Sequence, residues 1–142
     1  MTKTPAAELA SLLRPALLRL TRLVRNQRVD TSITLTSLSA MATLAKHGAM
    51  SAGDLATCEK VQPPSMTKVL STLEDHGLVS REPHPSDKRQ AIIAITDAGV
   101  ALLDDERRSR DRWLSRQLET LTAEERALLE HVVPILDKLA DQ

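Results

Sequence analysis

Two groups of polar side chains in this sequence combine residue types and spacings that could engage a nucleic acid. Gln62, Ser65, Thr67, Lys68 and Ser71 fall on one side of a segment whose Met66, Val69, Leu70 and Leu73 repeat at helical spacing. They are small or flexible hydrogen-bonding groups with one cation and no bulky apolar residue, which suits base edges and phosphates. The same residues would also make an ordinary polar helix face. Asp87, Lys88 and Arg89 sit in Pro83-His-Pro-Ser-Asp-Lys-Arg-Gln90, whose prolines and charges read as an exposed hairpin tip, either solvated or in contact with DNA. Glu74 and Asp75 end the first segment, and carboxylates repel phosphate, so only the N-terminal half of that helix can enter a groove.

Other chemistries find less support. His47, His76, His84 and His131 lack the spacing that puts two metal ligands on one helix face, so no metal site is expected. There is no glycine-rich phosphate loop and no Ser/His/Asp grouping near strand ends, which leaves no case for an enzyme or a cofactor. Cys58, the one cysteine, excludes an intrachain disulfide and fits a reducing compartment. It reads as a small buried hydrophobe closing a short helix, with an oxidant-sensing thiol as the rival reading.

The chain has 142 residues, the size of one domain, and carries 19 Lys+Arg against 19 Asp+Glu. Total charge therefore points to no class of partner. The ends are oppositely biased: Lys3, Arg14, Arg19, Arg22, Arg25 and Arg28 face Glu8 alone in residues 1–28, while residues 97–142 are acidic on balance. Tyrosine and phenylalanine are absent and Trp113 is the single aromatic residue, so the stacking platforms of single-strand binders cannot be built. The first residues lack a signal-peptide apolar core and no apolar run reaches membrane-spanning length, from which a cytoplasmic protein without membrane contact is expected.

The elements that must position the two groups follow from periodicity and caps. Leu9, Leu12, Leu13, Ala16, Leu17, Leu20, Leu23 and Val24 form the apolar stripe of a long first helix, with Pro15 inside it and the arginines mostly off the stripe. Leu35, Leu38, Met41, Ala42 and Ala45 repeat the pattern in a second helix that His47-Gly48 ends. Ser51 with Asp54 three residues on opens a short third helix to about Cys58, and Gln62-Pro-Pro-Ser opens a fourth. Gly77 and Leu78 close that fourth helix as a Schellman stop. Val79-Ser-Arg-Glu82 and Ala91-Ile-Ile-Ala-Ile95 are two short strands. Thr96 caps a fifth helix, and Thr122-Ala-Glu-Glu125 is a capping box for a sixth, which Pro134 should kink.

This order predicts a mainly α fold with a small β part: a winged helix-turn-helix core at 35–96, within one domain spanning 1–142. The terminal stripes at 6–30 and 97–142 read as helical dimerisation regions.

Asp87-Lys-Arg89-Gln-Ala-Ile-Ile-Ala-Ile95-Thr96 resembles the wing signature of the MarR family of bacterial transcription regulators. Pro64-Ser65-Met-Thr67-Lys68, followed by Leu73-Glu-Asp-His-Gly77-Leu78-Val79-Ser-Arg81, is similar to that family's recognition helix and the turn after it. The resemblance covers nearly the whole chain. It implies a homodimer built on the first, fifth and sixth helices that binds double-stranded DNA at a pseudo-palindromic operator, most simply as a repressor. It also implies that Arg89 enters the minor groove from the wing tip, steadied by Asp87, and that Pro64, Ser65, Thr67 and Lys68, with Gln62, serve the recognition helix. A guanidinium suits the negative potential of a narrow minor groove. Lys68 stands where arginine is common in the family and brings a point charge rather than a planar fork. A small aromatic or anionic effector that releases DNA is a further implied partner, with Leu13, Arg14, Leu17 and Met41 as positional candidates for lining its site. The competing reading is a winged-helix module for protein contacts, suggested by the near-neutral charge around Glu74, Asp75 and Glu82.

Overall fold

In the computed structural model, which describes residues 3–142, the elements are α1 (Ala6–Arg25), α2 (Leu35–His47), β1 (Met50–Ser51), α3 (Ala52–Glu59), α4 (Pro63–Asp75), β2 (Val79–Pro83), β3 (Ala91–Ile95), α5 (Asp97–Glu119) and α6 (Ala123–Ala140). They group into a winged unit, Arg28–Arg107, and a helical unit made of the chain up to Gln27 together with Arg108–Gln142.

Three of the four helix starts in the winged unit, those of α2, α3 and α5, are set by a local side chain. Thr34 and Ser51 accept the amides of Ser37 and Asp54, both at 3.1 Å, and so cap α2 and α3. Thr96 accepts the Gly99 amide at 3.2 Å to open α5. Its hydroxyl also donates to the Gly77 carbonyl at 2.7 Å, which ties the start of α5 to the end of α4. That end is the expected Schellman stop: Gly77 has φ 70°, and the Leu78 amide donates back to the Leu73 carbonyl at 2.9 Å.

The core of this unit gathers one face from every element. Leu38, Met41 and Leu44 of α2, Leu55 of α3, Met66, Leu70 and Leu73 of α4, Val79 of β2 and Ile93 of β3 are all buried, with Ile33 from the loop before α2. The sheet is antiparallel in the order β1-β3-β2. Val79 to Pro83 pair with Ile95 to Ala91, and Met50 and Ser51 pair with Ile93 and Ile92. The sequence reading contains two strands, and β1 is the addition; two residues are too few to show alternation.

One expectation about a single residue is overturned. Cys58 is exposed, because the buried face of α3 is Leu55 and Ala56. Met41 is fully buried in the winged core, in keeping with its place on the apolar stripe of the second helix.

In the helical unit, α6 opens with the expected capping box, Thr122 accepting the Glu125 amide at 3.1 Å and Glu125 accepting the Thr122 amide at 3.0 Å. Both α1 and α6 are continuous through Pro15 and Pro134. Within a single chain neither helix has a buried residue. Leu9, Leu12, Leu18 and Leu20 on α1, and Leu128, Val133, Ile135 and Leu139 on α6, are large apolar side chains left in water. No helix among the described residues is long and apolar enough to cross a membrane.

Candidate nucleic-acid interface

The helix-turn-helix is held by short-range geometry on both sides of its turn. At the end of α3, Lys60 adopts the left-handed conformation, φ 53° and ψ 43°, and the Val61 amide donates to the Ala56 carbonyl at 3.0 Å. This is a Schellman closure with lysine where glycine is usual. Glu59, half-buried in the last turn of α3, accepts from Ser39 at 2.6 Å and from Thr43, both on α2. The two hydroxyls and one carboxylate lock the first two helices of the motif together. After the turn, Gln62 is the N-cap of α4 without a side-chain cap bond, and Pro63 and Pro64 fill its first turn. Proline fits there because its missing N–H would have no intrahelical partner.

From that start α4 sorts its residues cleanly. Met66, Leu70 and Leu73 are buried, while Gln62, Pro64, Ser65, Thr67, Lys68 and Ser71 are all exposed. The Thr67 hydroxyl donates to the Pro63 carbonyl at 3.0 Å.

The end of α4 is joined to the wing by charge. Arg81 on β2 donates through Nε to Glu74 Oε1 at 2.6 Å, so one of the two carboxylates near the helix end is neutralised by an arginine of the strand that follows. The two side chains are 44% and 30% exposed, and salt screens such a pair only in part. At the wing tip Asp87 Oδ1 accepts the Arg89 amide at 3.0 Å and meets Arg89 Nε at 3.5 Å. The Arg89 side chain is otherwise 93% exposed, and Lys88 beside it is exposed too. A groove of about 320 Å³ lies between the start of α3 and the wing, lined by Gly53, Arg81, Lys88, Arg89 and their neighbours. Among the described residues no group of three or more His, Cys, Asp or Glu side chains is placed to hold a metal ion.

Comparison with known proteins decides the family. The MarR family model matches residues 33–91, from Ile33 through the first residue of β3. An uncharacterised HTH-type transcriptional regulator of Mycobacterium leprae is 42% identical over 136 residues, spanning 96% of this chain and 95% of its own length. The chain belongs to the MarR family. A solved transcriptional regulator from Pseudomonas aeruginosa superimposes on this MarR chain with a TM-score of 0.83 at 26% identity, covering 99% of each. The HTH-type transcriptional repressor NicR of Pseudomonas putida is 30% identical over 97 residues, 68% of this chain and 61% of its own length.

As a MarR-family protein the chain is a DNA-binding transcription regulator and not an enzyme. Family membership thus favours DNA over the protein-interaction module, and the Glu74–Arg81 pair offsets part of the acidic character that suggested the latter. Three residues that shape this surface escaped the sequence reading. Glu59 and Arg81 look like solvated charges in a linear sequence, and a left-handed Lys60 has no compositional signal. The spacing of Arg81, seven residues after Glu74, offered a hint only once a helix end and a strand were known to meet there.

Proposed function

We propose that this MarR-family protein is a homodimeric repressor that acts in the cytoplasm by occupying a pseudo-palindromic operator and is released by a small aromatic or anionic effector. Gln62, Pro64, Ser65, Thr67, Lys68 and Ser71 serve the major groove or its phosphates, and Asp87, Lys88 and Arg89 serve the wing contact in the minor groove. The observation that carries this reading is the exposed polar face of α4, with an almost fully exposed Arg89 on the wing of the same unit. The similarity to a protein named as a repressor supports the sign of regulation.

Dimerisation is supported by the uncovered apolar residues of α1 and α6, since large apolar patches on a soluble surface mark interaction sites. Two-fold symmetry of the protein then requires two-fold symmetry of the site, with half-sites about one helical turn of DNA apart.

The test is selection of genomic fragments by the purified protein, followed by anisotropy titrations of the retained sequence at two salt concentrations. An inverted repeat should be enriched, its affinity should fall with salt, and Arg89→Ala should weaken binding by about tenfold or more. Failure to enrich any sequence, with binding that ignores Arg89→Ala, overturns the operator reading. A monomeric mass in solution overturns the dimer.

A further inference from the structure

The wing turn is organised by a histidine that the DNA-facing surface does not itself require. His84 directly follows β2, and its Nδ1 accepts the backbone amide of Ser86 at 3.1 Å and that of Asp87 at 3.0 Å, with Ser86 Oγ at 3.3 Å. Two N–H donors converge on one ring nitrogen, so Nδ1 is the acceptor and the ring proton sits on Nε2. Loops usually obtain this service from Asn, Asp or Ser, whose side-chain oxygens accept amides two or three residues on. Pro85, which has no N–H and a fixed φ, turns the chain so that the next two amides face back to His84.

The next link lies on the other side of the turn. Asp87, whose amide His84 holds, accepts the Arg89 amide at 3.0 Å through Oδ1 and meets its guanidinium Nε at 3.5 Å. The loop closes with Gln90 donating to the Asp87 carbonyl at 3.1 Å and the His84 amide donating to the Gln90 carbonyl at 3.3 Å. Hydrogen bonds thus run from the imidazole through Asp87 to Arg89. Apart from Asp87, the guanidinium stands in solvent, with its side chain 93% exposed. A side chain held near its bound geometry loses less freedom on binding than a free one.

We propose that His84 is a positioning residue for DNA binding: with its ring proton on Nε2, it fixes the turn through which Asp87 presents Arg89 to the minor groove. The proposal rests on the reading of Arg89 as a DNA contact. His84 touches no DNA in this scheme, and its effect passes entirely through Arg89.

The experiment is a double-mutant cycle on the selected operator, with His84→Ala and His84→Asn each made in the wild-type and Arg89→Ala backgrounds. His84→Ala should weaken binding about three- to tenfold when Arg89 is present and have no further effect when Arg89 is already alanine. His84→Asn should restore most of the loss, because its amide oxygen can accept the same two amides. Nitrogen-15 NMR of the free protein should show the ring proton on Nε2. An equal loss in both backgrounds, no rescue by asparagine, or a proton on Nδ1 overturns the proposal. A loss on Arg89→Ala with none on His84→Ala overturns it while leaving the wing contact intact. No loss on Arg89→Ala removes the wing contact itself, and the proposal with it.

Discussion

Arg28 and Glu106 meet at the two ends of the winged unit, with Arg28 Nε 3.5 Å from Glu106 Oε2. Glu106 is completely buried, and its carboxylate also accepts the amides of Val29 and Asp30 at 3.2 Å. Arg28 uses Nη2 to hold the carbonyls of Asp30, at 3.1 Å, and Ile33. One ion pair therefore fixes the loop that leads into α2 against α5, although Arg28 Nε, buried and 3.5 Å from Glu106, makes no hydrogen bond of its own. Removing Glu106 leaves the largely buried Arg28 charge and two loop amides uncompensated, so Glu106→Ala should cost about 3–5 kcal/mol. Urea denaturation followed by far-ultraviolet circular dichroism measures it, and a cost below about 1 kcal/mol would show that water reaches the site.

The left-handed Lys60 at the helix-turn-helix corner carries a steric cost that glycine avoids. Lys60→Gly should stabilise the fold by about 0.5–1 kcal/mol, the relief of strain exceeding the added chain entropy. A rise in the thermal midpoint checks this, and a fall would mean that the lysine side chain contributes more than its backbone costs.

Gly99 sits where the first turn of α5 crosses the end of the wing. A Cβ there would overlap the Leu78 carbonyl oxygen and come within 2.6 Å of Ile95 Cγ1. Leu78 is held by its Schellman bond and cannot retreat freely. Gly99→Ala should destabilise by about 2 kcal/mol or more, whereas Gly53→Ala, with only Ser51 Oγ at 3.9 Å, should be well tolerated.

The capping box of α6 predicts an acid-sensitive term. The backbone amide of Thr122, and then its side chain, holds the Glu125 carboxyl below the ordinary value of 4.5. A group with a lowered folded value contributes stability that is complete above the unfolded value and lost as pH falls through the folded one. The stability of the wild type should therefore drop in that acid window more steeply than that of Glu125→Gln. Paired melts across pH 3–6 would show parallel curves if the carboxylate were free in the folded state.

If Lys68 contacts a phosphate, Lys68→Ala should weaken operator and non-operator binding alike and reduce the slope of log affinity against log salt by about 1. A loss confined to one base position in a substitution series would instead assign Lys68 to a base edge.

The local signals in this chain were legible because they act over three or four residues. Ser51 with Asp54, Thr122 with Glu125, and Gly77 with Leu78 are caps and stops whose partners are neighbours in sequence, and the structure forms each of them. The periodicity of Met66, Leu70 and Leu73 likewise carries its own burial pattern, and the short apolar run Ala91 to Ile95 forms the strand it suggests. Helix, strand and the polar face of α4 follow from those alone.

Only the tertiary structure decided which charges are inside. Glu106 lies in Asp104-Asp-Glu-Arg-Arg108, a run that looks solvated until α5 turns one carboxylate toward the distant loop at Arg28. The same holds for Cys58, exposed rather than packed, and for β1, whose two residues exist as a strand only beside Ile92 and Ile93. Local periodicity reports which side of an element is apolar, but not what the remaining sides will meet. That depends on contacts between residues far apart in the chain.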